Sequence, residues 1–442
     1  MNFSCSRSSA FLLICLLGTS LSVFSPAIAA PEASAAQTEG TEPMLERVVL
    51  VSRHGIRSPT KPLDKLEKKT RHTWTPWPVP PGEMTAHGQF DLGLMGQFLK
   101  SYYHVASRDS SARCLPEQPA FIWADSASSR TQRSGDILAA ALSDGCQTQA
   151  RSMPAKTHDP LFNALPAKKT TLDADDVEKT LNPELIPDTE LPPPVQSGVQ
   201  TLQALFAPNA CTTGTTPCFS KRAPLSWKKG TPHAENGMAL GSTVSEALLL
   251  EYVEGLPPSV TAGNTDTVHT LNSVLPVHNY QSARMRRTPA IAIPRGGKLA
   301  QAILTLLDEQ PFTLPDGNVL LTQAHVVMFA GHDTTLDMLT TLFGLDWTFT
   351  DQPDPTAPDT TLAFETWKHP DGRKEIRFAV FHQSLTQLRE GLKLDNVAGQ
   401  GAPMPLTSTL CSQPKNETCW LENLSKNIPQ HYGVSSVKQD DD

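Results

Sequence analysis

Three runs along this chain are apolar without alternation, and each stops abruptly at charged or small polar residues. Val48 to Val51 runs through Ser52 into Arg53-His54-Gly55; Ala120 to Ala124 runs into the serine-rich "DSASSRT", which carries Arg130; Val326 to Ala330 runs into Gly331-His332-Asp333. Continuous apolar runs suit strands covered on both faces, the habit of parallel sheets. Helical spacing follows. "TQRSGDILAAALSDG" puts Ile137, Leu138, Ala141 and Leu142 on one face and stops at Gly145. "TTLDMLTTLFG" does the same with Leu336, Leu339, Leu342 and Phe343 and stops at Gly344. Between the first two runs, "TAHGQFDLGLMGQFLKSYY" spaces Phe90, Leu94, Phe98 and Tyr102 four apart. Strand, loop and helix in repetition predict an α/β fold, a mainly parallel sheet flanked by helices. In such sheets the working crevice lies beyond the carboxyl ends of the strands.

Residues 160–291 have another texture. They are loop-rich, with "ELPPPVQSG" and a local cysteine pair, and their clearest helix is "STVSEALLLEYVEG". They are expected to form a mostly helical cap inserted into an α/β domain made of 44–159 and 292–442. The tail returns to strands: "TLAFETWKHPDGRKEIRFAVFHQ" reads as a hairpin around Pro370-Asp371-Gly372.

The first 29 residues stand outside this fold. Arg7, an apolar stretch over 11–24 and the exit Ala27-Ile28-Ala29 describe a secretory signal, too short for a membrane anchor. Residues 30–43 read as a flexible leader. Export to the periplasm or medium gives the cysteines meaning. Cys5 and Cys15 leave with the signal and six remain, an even number that reads as disulfides with fifteen possible pairings. Proximity favours Cys211–Cys218 and Cys411–Cys419, which leaves Cys114–Cys146. No CxxC pair suggests structural zinc.

The 442 residues carry a formal charge of −8, near −9 once the signal's single arginine is removed, which suits no nucleic acid. An anionic substrate would therefore need a local basic pocket. Arg53, Arg57 and Arg130, with His54 and His332, would gather at the three strand tips, where a phosphoryl group would relieve their repulsion. Arg130 at a helix start faces the positive end of the dipole, which also favours an anion in between. Asp333 reads either as the N-cap of a helix starting at Thr334 or as an acid in the site. Signatures of other chemistries, GxxxxGK[ST], HExxH and GxSxG, do not occur.

"RHGIRSP" at 53–59 and the distant "GHDTT" at 331–335 resemble the paired signatures of the histidine acid phosphatases. The resemblance spans the mature chain and is strongest toward the bacterial periplasmic phytases and glucose-1-phosphatases, as "WTPWPV", "HDPLFN" and the three local cysteine pairs also suggest. A fourth bridge common in the phytases is missing. The resemblance implies that His54 becomes a phosphohistidine, that Arg53, Arg57, Arg130 and His332 clamp the phosphate, and that Asp333 protonates the leaving oxygen and then activates water. It further implies substrate contacts at Thr60, Lys61, Thr334, Glu246 and Arg287. Gly55 and Thr334 differ from the RHN and HDS of glucose-1-phosphatases, and Thr335 replaces the asparagine of close phytase relatives.

The expectation is an exported, monomeric, metal- and cofactor-independent acid phosphomonoesterase acting on a small phosphate ester, foremost phytate. Glucose-1-phosphate or simple esters are the alternative substrates, and a phosphate-binding protein on the same fold is the alternative class. Neutral His54 and protonated Asp333 would both favour mild acid.

Overall fold

In a computed structural model the described residues are 42–432, apart from 118, 166–173, 183–189, 229–230, 261–265, 321–323, 396–402 and 412–417. The expected secretory signal and nearly all of the leader lie outside them. Strand β1 (Met44–Arg53) is followed by α1 (Leu63–Thr70), α2 (Ala86–Tyr102), β2 (Ala120–Ala124), α3 (Ser129–Leu142) and β3 (Arg151–Ser152). Then come α4 (Ala174–Leu181), α5 (Pro193–Phe206), the hairpin β4 (Ser226–Lys228) and β5 (Thr231–His233), α6 (Gly237–Val253) and α7 (Thr267–Arg286). The chain continues through α8 (Pro289–Leu307), the hairpin β6 (Phe312–Thr313) and β7 (Val319–Leu320), β8 (Val326–Gly331) and α9 (Asp333–Phe343). Strands β9 (Thr361–Lys368) and β10 (Lys374–Phe381), α10 (Leu385–Glu390), β11 (Met404–Leu406) and α11 (Leu421–Tyr432) complete it.

Seven strands form one sheet in the order β11-β10-β9-β1-β8-β2-β3. The half built from the three apolar runs is parallel, as their crossover helices require. The other half is antiparallel, because the β9–β10 hairpin turns tightly at Gly372 (φ +85°) and lies against β1. The sheet is thus mixed rather than mainly parallel.

Both faces are buried. Val49, Val51, Val327 and Phe329 pack under α8 and α9, while Val48, Leu50, Val326 and Met328 pack under α2 and α3. Helix α2 departs from the four-apart reading. Leu92, Met95 and Leu99 are among its most buried side chains, whereas Phe90 is 58% exposed.

Helices α5, α6 and α7 form a core of their own with Leu66 and Trp74. The proline-rich stretch read as loop starts α5, with Pro193 in the first turn, where its missing N–H costs nothing. One close approach ties α2 to the end of β1. A Cβ on Gly55 would overlap the carbonyl oxygen of Gly88, and one on Gly88 would overlap the backbone of Ile56. The cysteines pair as proximity suggested, Cys114–Cys146, Cys211–Cys218 and Cys411–Cys419. Among the described residues no helix is long and apolar enough to cross a membrane.

Candidate active site

The sheet register brings the three strand tips together. Arg53 pairs with Gly331 and Ala124 with Ala330. The ladder then runs one residue further, since His54 N–H donates to Gly331 O at 3.1 Å and Asp125 N–H to Ala330 O at 3.0 Å. His54 and His332 therefore lie side by side, edge to face, with ring centroids 5.5 Å apart.

His54 is 1% exposed. Its Nδ1 is 2.9 Å from the carbonyl oxygen of Gly55, which only accepts. Nδ1 must therefore carry the hydrogen, and Nε2 presents its lone pair. Burial, then the charges of Arg53, Arg57, Arg130 and His332, hold this imidazole well below 6.5. His332 is fixed through Nδ1, 3.2 Å from Asp125 Oδ2.

The arginines are not equally free. Arg53, wholly buried, donates to Asp354 Oδ2 at 3.2 Å, to Thr356 O, and to Glu246 Oε1 at 3.0 Å. Arg57 donates to the same Glu246 oxygen at 2.8 Å. One carboxylate from α6 thus bridges two guanidiniums. Burial pushes the Glu246 carboxyl up, but Arg57, His278 and Arg53 outweigh it and bring it to about 2. Among the described residues Arg130, in the first turn of α3, has no such partner, and its buried Nε makes no hydrogen bond. Burial and the neighbouring charge of Arg57 lower it to about 10.

Asp333 opens α9, and His332 occupies the N-cap that the sequence offered to Asp333. Its Oδ1 accepts from Thr334 N–H and its Oδ2 from Arg286 Nη1, both at 2.8 Å. Burial alone would raise this carboxyl, but Arg286, Arg53 and Arg57 keep it well below 3.8. Without substrate it is a carboxylate.

A cavity of about 280 Å³ opens beside these groups, lined by Ser242, Glu246, His278, Arg286, Arg295 and Thr334 among others. Two of these arginines escaped the sequence reading. Arg286 holds Asp333, whereas the expected Arg287 points elsewhere, to Asp337 at 2.7 Å and Asp346 at 3.4 Å, beside Tyr280 and Trp347. Arg295, on α8, is 9% exposed, and its buried Nε has no hydrogen-bond partner among the described residues. Burial, with Arg286 adding repulsion, brings it to about 10. Its signal was a cation spaced four from both Ile291 and Leu299, on the stripe that α8 buries. Thr60 and Lys61 are exposed on the loop after β1, Thr60 sharing with Arg130 the surroundings of Gly82. Among the described residues no group of three or more His, Cys, Asp or Glu is placed to hold a metal ion.

The sequence signature of the histidine phosphatase superfamily (branch 2) matches residues 44–380. The chain belongs to this family. As a histidine phosphatase it is a phosphomonoester hydrolase. Phytase AppA of Escherichia coli (strain K12) is 29% identical over 372 residues, which cover 81% of this chain and 85% of that protein. Glucose-1-phosphatase of Salmonella typhimurium is 22% identical over 386 residues, 82% of this chain and 87% of that one. Among solved structures, Hafnia alvei phytase in complex with tartrate matches with a TM-score of 0.77 at 28% identity, over 88% of this chain and 98% of its own. The phytase from Citrobacter braakii matches with a TM-score of 0.76 at 28% identity, over 87% and 97%. In this histidine phosphatase the parallel half of the sheet presents His54, Arg130 and His332, while α6, α7 and α8 surround the adjoining cavity with Glu246, Arg286 and Arg295.

Proposed function

We propose that this chain is an exported, monomeric acid phosphatase that hydrolyses myo-inositol hexakisphosphate through a phosphohistidine on His54. One observation carries the reading: a buried imidazole, fixed in one tautomer and kept neutral, stands among guanidiniums with a carboxyl group held close by. A neutral Nε2 is a nucleophile, and surrounding cations stabilise the charge spread over a transferring phosphoryl group. Arg53, Arg57, Arg130 and His332 hold the phosphate. Nε2 bonds to phosphorus as the bridging P–O bond breaks. The departing oxygen keeps the electron pair and takes a proton from Asp333. In the second step Asp333 accepts a proton from the water that cleaves the P–N bond. The incoming phosphate draws Arg53, Arg57 and Arg130 to itself, which offsets part of the positive charge that keeps the Asp333 carboxyl ionised.

The preference for a substrate with many phosphates is supported by the adjoining cavity, where Arg286 and Arg295 offer cations beyond those needed for one phosphate. Residues 160–291 act as the cap that shapes this cavity. The three disulfides fit an oxidising destination. A panel of inositol hexakisphosphate, glucose-1-phosphate and nitrophenyl phosphate, with acid-labile phosphate trapped on wild type but not on His54→Ala, tests the reading. Faster turnover of glucose-1-phosphate at equal concentration would move the substrate to the monophosphates. Tight phosphate binding without turnover would make the chain a binding protein.

A further inference from the structure

Arg286 ends α7 and faces two ways. Its Nη1 donates to Asp333 Oδ2 at 2.8 Å and to Asp337 Oδ2 at 3.1 Å. Its side chain also lines the 280 Å³ cavity that Arg295 and Thr334 share. Asp337 does not depend on it, because Arg287 Nε lies 2.7 Å from the other oxygen of Asp337. The contact that matters is therefore the one to Asp333.

That contact conflicts with the chemistry. A general acid must carry a proton when the P–O bond breaks. A carboxylate bonded to a guanidinium holds none. The clamp around the scissile phosphate does not remove this contact, since Arg53, Arg57 and Arg130 are the groups such a phosphate engages. Something that enters the cavity must.

We infer that Arg286 is a substrate-released clasp: an anionic group next to the scissile phosphate takes the Arg286 guanidinium and frees Asp333 to carry the proton that the departing oxygen needs. The clasp rests on the roles of His54 and Asp333 given above. The proton reaches Asp333 from solvent or from the singly protonated ester and ends on the leaving alcohol. Ester and water are the only reactants. The substrate class that both fits and releases the clasp is a polyol with phosphates on neighbouring carbons. A monophosphate meets an acid still held.

Asp333 is faced by Arg53, His54 and Arg57 from the end of β1, and by Arg130 from α3. It is also faced by Glu246 from α6 and Arg286 from α7, with Asp337 on its own helix. Arg295 from α8 bears on Arg286. Arg53, His54, Arg57 and Arg130 meet the same scissile phosphate in either ester, and Glu246 and Asp337 are common to both, so a comparison of two esters of one alcohol isolates the clasp.

The experiment follows kcat against pH for inositol hexakisphosphate and an inositol monophosphate. In wild type, the basic limb for the hexakisphosphate should lie about one pH unit above that for the monophosphate. In Arg286→Gln the two limbs should coincide. That variant should also gain about tenfold in kcat/KM on the monophosphate at the pH of the wild-type limb. On the hexakisphosphate it should lose about 10- to 100-fold, mostly through KM. Equal slowing of both esters with the limbs still apart would reduce Arg286 to a structural ion pair and overturn the clasp. Should Arg286→Gln not fold, the wild-type limbs decide, and coincident limbs overturn it. A wild-type protein that turns over no nitrophenyl phosphate would instead remove the phosphatase mechanism beneath it.

Discussion

Replacing Arg295 with methionine should make the protein more stable and a poorer enzyme toward many-phosphate substrates. The residue is 9% exposed, and its buried Nε makes no hydrogen bond among the described residues. Burial first, then Arg286, lowers it to about 10. The sign follows from which form the fold disfavours. A cation with a depressed value carries its full penalty in the folded state below about 10; the penalty shrinks above that and is gone above the unfolded value. Each unit is worth about 1.4 kcal/mol, so the charge costs on the order of 3 kcal/mol at neutral pH. Methionine keeps an unbranched apolar stem of similar reach, and some packing will be lost, so the expected net gain is about 1–3 kcal/mol. Urea denaturation at pH 7 reads this as a higher midpoint at unchanged slope. Adding inositol hexakisphosphate should narrow the gap, because the ligand stabilises wild type more than the variant. Its KM should rise about 10- to 100-fold. A lower midpoint for Arg295→Met, or an unchanged KM, would refute the view of Arg295 as an unpaired cation waiting for an anion.

Asp333→Asn should slow inositol hexakisphosphate about 10²–10⁴-fold and nitrophenyl phosphate much less, since nitrophenolate leaves without a proton; equal slowing would defeat the general-acid role. Because burial and its cationic neighbours hold His54 well below 6.5, the acid limb of kcat/KM should also lie well below 6.5, and a limb at or above it would mean that the nucleophile is another group. The same shift should lower stability as pH falls below about 6.5, where the unfolded chain takes up a proton that buried His54 refuses. Replacing Cys114 and Cys146 with serine opens a loop of 32 residues, and calorimetry should show a loss of about 3–4 kcal/mol on chain-entropy grounds; a loss under 1 kcal/mol would place the constraint elsewhere.

The strand tips were legible because their chemistry is local. A buried parallel strand must be apolar throughout, so the first charged residues past each run mark where the chain leaves the sheet. His54, Arg130 and His332 could thus be placed together before any pairing was known. The hairpin was equally plain in its turn, but nothing within it says that β9 will lie against β1, and the sheet came out mixed. Groups carried by helix faces were harder. Arg286 and Arg287 are adjacent in sequence and differ only in which way each side chain turns at the end of α7, something composition does not record. Arg295 sits between Pro294 and Gly296, two residues of low helix propensity, yet α8 runs through both. Glu246 was expected at the substrate. It bridges Arg53 and Arg57, and only the folded arrangement that brings α6 to the end of β1 reveals that.

The contact between Gly55 and Gly88 bears on how such enzymes could be recombined. The segment carrying the nucleophile and the first turn of α2 meet backbone to backbone, with no room at the seam for even a methyl group. Exchanging one partner without the other risks a side chain that shifts His54 relative to its neighbours while leaving every named catalytic group in place. Chimeras between relatives should therefore keep residues 53–88 as a single cassette and put their crossovers elsewhere. Diversity aimed at new substrates is better spent on the side chains that line the adjoining cavity.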